Sequence, residues 1–226
     1  MGRKVKLNHK KQENKEKRLF AIGSVLSFAM DDDVIWGTGI NGRLLHKKFY
    51  RFTQLDVRAV RGPLTRNFLK SELNIDCPEI YGDPGLLFPI LFPEYQRKEN
   101  PSNEYIIIPH FSEEFFYPKS EYANVVYPTE PWQVVVEKIL DSKFVISSSL
   151  HGVIIAEAYG IPARLLRISE NESLFKYQDY YLGTGRPHFQ IAYSIEQALE
   201  MGGESPFHCD LNKLLDAFPI EFWESK

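Results

Sequence analysis

Short apolar runs separated by helical patterns dominate the chain from residue 19 onward. Leu19–Leu26 is a brief apolar segment with a Gly-Ser break, and Leu19–Ile22 is its candidate first strand. Val34-Ile35-Trp36 reads as a buried strand that stops at Gly37-Thr38-Gly39, and Leu55–Arg61 reads as the next strand. Pro63 suits the first position of a helix running from Leu64 to Leu73, because its missing N–H costs nothing there. Gly82-Asp83-Pro84-Gly85 is a turn signal, followed by apolar Leu86–Phe92, which Pro89 interrupts.

Arg97–Glu104 is polar and contains a proline, so it is the linker between two units, residues 19–96 and 97–226. Beyond it the pattern predicts strands at Tyr105–Pro109, Asn124–Tyr127, Phe144–Ile146 and Ala163–Ile168. Helices are predicted at Pro131–Leu140, Leu150–Tyr159, Glu172–Tyr180, Ile195–Met201 and Leu211–Phe218. Gly160 and Pro162 close the second of these. Short apolar strands alternating with helices imply an α/β fold with parallel sheets covered on both faces.

Charge alters this picture at one place. The first eighteen residues hold eight Lys or Arg against two Glu, while the remainder holds 19 basic and 28 acidic residues. Residues 1–18 are therefore read as a mobile basic arm on a mildly acidic body. The competing reading is electrostatic attachment to an anionic membrane, which would place the protein at the inner face of the cytoplasmic membrane. The body has no basic stripe with interleaved aromatics, so no nucleic-acid partner is expected. With 226 residues the chain can bury a core without staples, and two cysteines exclude a disulfide framework. No apolar run reaches membrane-span length and no signal-peptide core follows the arm, so a cytoplasmic location is expected.

In open parallel sheets ligands bind beyond the carboxyl ends of the strands. Four stretches qualify: Gly37-Thr38-Gly39, Arg61-Gly62, His110, and Ser147-Ser148-Ser149-Leu150-His151-Gly152. The serine stretch joins a strand to a helix N-terminus, where free N–H groups and the helix dipole suit a phosphate or carboxylate. His151 falls in the first turn of that helix. The bland alternative is a serine cap with a histidine packed beneath a loop. A Ser-His nucleophile pair is disfavoured, since the two lie on one turn and no GxSxG elbow is present. Arg58, Arg61 and Arg66 cluster around one turn, and Arg61 at the strand end is the candidate for a bidentate anion grip. Asp83 is read as structural, its carboxylate serving turn N–H groups. Gly37–Gly42 contains a GxGxxG, a weak phosphate-loop signal, and without a suitably placed ribose carboxylate it is not read as a dinucleotide site. The histidines share no metal-ligand spacing, so no metal is expected.

These stretches, in order, resemble the polysaccharide pyruvyltransferase family, particularly its exopolysaccharide branch. The matching segments are Ile22–Leu26, Val34–Gly39, Val57–Arg66, Gly82–Leu87, Ile108–His110, Ile146–Gly152, Ala156–Pro162 and Phe175–Tyr180. The resemblance spans roughly residues 20 to 190. It implies transfer of a pyruvyl group from phosphoenolpyruvate to two hydroxyls of one sugar, giving a cyclic ketal, with no cofactor. It implies Rossmann-like sheets in a two-domain arrangement similar to GT-B glycosyltransferases, with the donor near the C-terminal domain. By resemblance the catalytic residue is His151; the strand-end residues Arg61, Ser147, Ser148, Ser149, Gly152 and His110 are the candidate donor contacts. Gly37, Thr38, Gly39, Arg66 and Lys176 are grouped as phosphate or acceptor contacts.

Two departures from the family pattern stand out. Ser149 replaces the basic residue that often precedes Leu-His, and the usual first strand–turn–helix segment is replaced by the basic arm. A shortened N-terminal domain with an uncovered sheet edge is therefore expected, leading either to a homo-oligomer or to reduced activity. The implied partners are phosphoenolpyruvate and a sugar, free or lipid-linked. The alternatives are a nucleotide-sugar glycosyltransferase and an inactive relative acting as a binding subunit in capsule or lipopolysaccharide assembly.

Overall fold

The computed structural model describes residues 17–222. Residues 1–16, and with them most of the expected mobile arm, lie outside the described residues. Its last two members are described: Lys17 lies over the Phe222 ring, and Arg18 pairs with the buried carboxylate of Asp33 at 2.5 Å.

The first sheet contains three parallel strands, β1 (Leu19–Phe20), β2 (Val34–Trp36) and β3 (Asp56–Ala59), in that spatial order. All three residues of β2 are buried, as the central strand of a covered parallel sheet requires. A parallel bridge between Val60 and Tyr81 continues the sheet past β3. Helix α1 (Pro63–Leu73) starts on its proline and ends at Asn74 in the left-handed conformation. The apolar stretch after the turn forms a 3-10 segment, Pro84–Leu87, running into the short helix α2 (Phe88–Leu91).

The second sheet is parallel throughout, with order β4 (Ile106–Ile108), β5 (Val145–Ser147), β6 (Ala163–Leu166) and β7 (Ile191–Ala192). Helices α3 (Trp132–Leu140), α4 (Leu150–Ala158), α5 (Phe175–Gly183) and α6 (Ile195–Met201) surround it, and α7 (Leu211–Asp216) follows. Two parallel sheets with intervening helices make this a Rossmann-like α/β protein.

Asn124–Tyr127, expected as a strand, makes only a single bridge, Val125 to Ile107. Proline at 128 removes the donor that an extended ladder would need next. Glu172 is not helical: Phe175 N–H donates to Ser173 Oγ, and α5 begins there and continues to Gly183. Strand β7 has two residues, too few to carry an alternating pattern.

Helix α4 is apolar nearly all round because it is packed nearly all round. Leu150, Val153, Ile154 and Ala156 are buried in the core of the second sheet, and the Pro84–Leu87 segment covers another face. Burying each large aliphatic contributes about 1.5–3 kcal/mol, so the start of α4 is held firmly. Besides α4, two elements cross back from the second half to the first. Helix α5 packs on α1, and α7 packs on the first sheet, where Trp36 Nε1 donates to the Leu214 carbonyl at 2.7 Å. The α5–α1 contact is close enough to demand glycine on both sides: a Cβ on Gly62 would lie 1.8 Å from the Asp179 carbonyl oxygen, and one on Gly183 would lie 2.3 Å from that of Arg61.

Candidate active site

The carboxyl ends of both sheets carry the polar residues, and the structure sorts them into three groups. The first centres on His151. Asp83 follows the Val60–Tyr81 bridge, at the end of the first sheet, and is fully buried. Its Oδ1 accepts from Gly85 N–H at 2.9 Å, the bond that a Gly-Asp-Pro-Gly turn implies. Its Oδ2 faces His151 Nε2 at 3.5 Å, and both atoms are buried without a hydrogen-bond partner. That gap closes with a small rotation of the imidazole, and catalytic hydrogen bonds commonly tighten when substrate binds. The His151 side chain is 40% exposed although Nε2 is buried, so Nδ1 is the ring nitrogen left to the cleft. Ser149 is the N-cap of α4 but makes no side-chain capping bond, leaving its hydroxyl and the first-turn N–H groups without that partner. Gly37, with φ +92°, brings the end of β2 against Pro84 beside this pair.

The second group lies at the ends of β4, β5 and β6. Ser147 Oγ lies 2.8 Å from both the Ile108 and the Ser149 carbonyl oxygens, the two acceptors open to its one proton, and packs tightly on Gly152. Ser148 Oγ accepts from His110 N–H at 2.8 Å and donates to Glu113 Oε2 at 2.6 Å. The other Glu113 oxygen accepts from Ser169. Two of the three serines are thus spent on the strand ends, and only Ser149 has a free hydroxyl. His110 caps the 3-10 segment Phe111–Phe116, with Nδ1 accepting from Ser112 N–H. Lys176 is buried and pairs with Glu172 at 2.5 Å. Burial, more than any neighbouring charge, pushes the Lys176 ammonium below its ordinary value.

The third group is closed. Arg61 is fully buried; its Nε meets Asp179 Oδ2 at 3.1 Å, Nη1 donates to Ser24 Oγ at 2.7 Å, and Nη2 donates to the Ile40 carbonyl at 3.0 Å. Asp179 also accepts from Thr65 N–H and Oγ1, capping α1 from across the interface. Thr38 is buried and donates to the Gly23 carbonyl, and a Cβ on Gly39 would lie 2.4 Å from Arg61 Cζ. Arg66 turns away to the Cys77 carbonyl and Glu79.

His151 therefore faces Asp83, with Gly37 against the adjoining Gly82 and Pro84, while His110, Ser148 and Lys176 meet around Glu113 and Glu172. Arg61, Thr38 and Gly39 belong to the buried contact with α5. Residue patterns did not single out Asp179 or the Asp83–His151 pairing. The signal available for Asp179 was a carboxylate amid tyrosines on a helix expected to be packed. Both cysteines are free, with thiols pushed up by burial to about 12 for Cys77 and about 11 for Cys209, so neither supplies a thiolate. Among the described residues no group of three or more His, Cys, Asp or Glu is placed to hold a metal ion, and no helix is long and apolar enough to cross a membrane.

Burial first, then the Lys176 charge, lowers the His110 pKa; Arg43 adds to this, while Glu172 and Glu113 oppose it. The folded protein thus resists protonating His110 more than the unfolded chain does. Stability is present above the ordinary histidine value near 6.5 and is lost as the pH falls through the lowered folded value. His110→Asn retains an acceptor near Nδ1 and removes the titration. Its melting temperature should fall less than that of the wild type between about pH 6.5 and 5; parallel curves would show that His110 is not the group responsible.

The fold thus sets His151, in the first turn of α4, against the buried Asp83 at the end of the first sheet. The comparison with known sequences goes further: the polysaccharide pyruvyl transferase family matches residues 13–170, and the chain belongs to that family. It is also similar to uncharacterized protein L143 of Acanthamoeba polyphaga mimivirus, 31% identical over 169 residues. That alignment covers 70% of this chain, which spans 57% of the length of the relative.

Proposed function

We propose that the protein transfers a pyruvyl group from phosphoenolpyruvate to two hydroxyls of a sugar, giving a cyclic ketal in a surface polysaccharide or its precursor. The observation that carries this reading is His151, with the buried Asp83 carboxylate facing one ring nitrogen at 3.5 Å and the other left exposed, beside a helix N-terminus without a side-chain cap.

The chemistry divides among the chain's own groups. The α4 N-terminus and the Ser149 hydroxyl receive the donor phosphate, because unpaired N–H groups and the helix dipole favour an anion there. Asp83 accepts the Nε2 proton and so leaves Nδ1 as the working nitrogen. A proton delivered from His151 to the methylene carbon of the donor makes C2 cationic. A sugar hydroxyl adds to C2 and its proton returns to the imidazole. The C2–O bond to phosphate then breaks, the second hydroxyl closes the ring, and its proton leaves with inorganic phosphate. Phe111 and Phe115, 66% and 70% exposed beside His110, offer apolar faces on which a sugar ring can lie.

The test is release of inorganic phosphate from phosphoenolpyruvate against a panel of nitrophenyl and lipid-linked galactosides, glucosides and mannosides. Release that depends on one acceptor, with a product heavier by the pyruvyl ketal, supports the reading. Acceptor-dependent turnover of a nucleotide sugar instead would assign a glycosyltransferase.

A further inference from the structure

Each of the three buried arginines among the described residues has a carboxylate partner: Arg61 meets Asp179, Arg164 meets Glu204 at 2.6 Å, and Arg186 meets Glu157 at 2.8 Å. Arg167, partly buried at the carboxyl end of β6, differs. Its Nε is buried with no hydrogen-bond partner, and its guanidinium makes no ion pair among the described residues. A buried donor left unpaired costs about 1–3 kcal/mol, more when charged, so the position calls for a ligand. The two carboxylates close by are already engaged: Glu113 by Ser148 and Ser169, and Glu172 by Lys176. Arg167 lines a small cavity with Glu113, Ser148, Ser169, Glu172 and Tyr177. Ser148 and Tyr177 tie this cavity to the start of α4, since the Tyr177 hydroxyl donates to the Ser148 carbonyl at 2.6 Å, three residues before His151.

We propose that Arg167 binds the carboxylate of a three-carbon donor, in a pocket separate from the phosphate-facing terminus of α4. A planar monoanion suits the guanidinium edge through Nε and one Nη. It suits a small cavity already lined by two glutamates better than a phosphate dianion does. The proposal deepens the pyruvyl-transfer reading and rests on it for the identity of the donor.

The experiment follows the Arg167 Nε–Hε resonance of ¹⁵N-labelled protein during titration with pyruvate, and separately with inorganic phosphate. Pyruvate should shift and saturate that resonance. Calorimetry should show pyruvate binding weakened by about tenfold to a hundredfold in Arg167→Gln, the loss of one charge-assisted contact, with partial recovery in Arg167→Lys. His151→Ala should bind pyruvate as the wild type does. Unchanged pyruvate affinity in a folded Arg167→Gln variant overturns the proposal, as does a wild-type resonance that responds to phosphate alone or to neither anion. Pyruvate binding at Arg167 without ketal formation on any acceptor would leave the pocket standing and remove the transfer reading.

Discussion

Replacing His151 with alanine should lower pyruvyl transfer at least about a hundredfold while leaving the melting temperature nearly unchanged. The ring is 40% exposed and makes no hydrogen bond, so its removal takes little packing from the fold. The partner variant, Asp83→Asn, is the sharper test. Asparagine keeps an oxygen for the Gly85 N–H bond and presents an amide where the carboxylate faces the imidazole. The amide can donate to Nε2 and favour the wrong tautomer, so turnover should fall by roughly a hundredfold or more. Donor affinity should be retained, because Asp83 reaches the substrate only through His151. A loss confined to donor affinity, with turnover intact, would mean that Asp83 shapes the anion site rather than the working histidine. Near wild-type turnover in a folded His151→Ala protein would remove that residue from the mechanism.

The second large effect is on stability. Arg61→Ala leaves the Asp179 side chain buried with only Thr65 beside it, and breaking a buried pair from one side costs about 3–5 kcal/mol. For a chain of this size that corresponds to a fall in melting temperature of ~10 °C. Asp179→Ala should be comparable, since it strands the guanidinium and uncaps α1. The double variant should cost much less than the two single changes together, and that difference measures the coupling. Arg61→Lys should recover only part of the loss, because one ammonium cannot reach Asp179, Ser24 and Ile40 along three directions. Additive effects, or an Arg61→Ala protein as stable as the wild type but weak in donor binding, would return Arg61 to the role of an anion grip.

How much of this could be read from the chain depends on distance along it. Helix α1 begins on Pro63 and β2 occupies Val34–Trp36 because proline geometry and a buried apolar triplet are local facts. The same holds for the end of α4, where Gly160 adopts φ +67°. Asn124–Tyr127 has the composition of a strand, but whether it pairs depends on Ile107 and on the proline that follows. The site divides in the same way. Residues of the serine stretch and His151 are visible as a strand running into a helix. What each hydroxyl bonds is not: Ser147 and Ser148 are occupied by Ile108, Glu113 and His110, from 35 to 39 residues away. Asp83 meets His151 and Arg61 meets Asp179 across still longer stretches, for which neither periodicity nor spacing leaves a trace. Asp83 announces its turn, since one carboxylate oxygen serves it; the second oxygen carries information that only the fold supplies.

The return of α7 to the first sheet bears on how the chain folds as it is synthesised. Trp36, Ala59 and Leu87 emerge early, yet the cluster they form closes only when Leu214 reaches it. Leu211 and Phe218 pack on the same cluster, and Phe218 sets its ring edge against Trp36 at 4.9 Å. The first sheet therefore cannot complete its apolar cover on the ribosome from its own residues. It must wait, with part of one face open, until more than a hundred further residues have been translated. That face of the first sheet stays exposed to aggregation while the second sheet is being made.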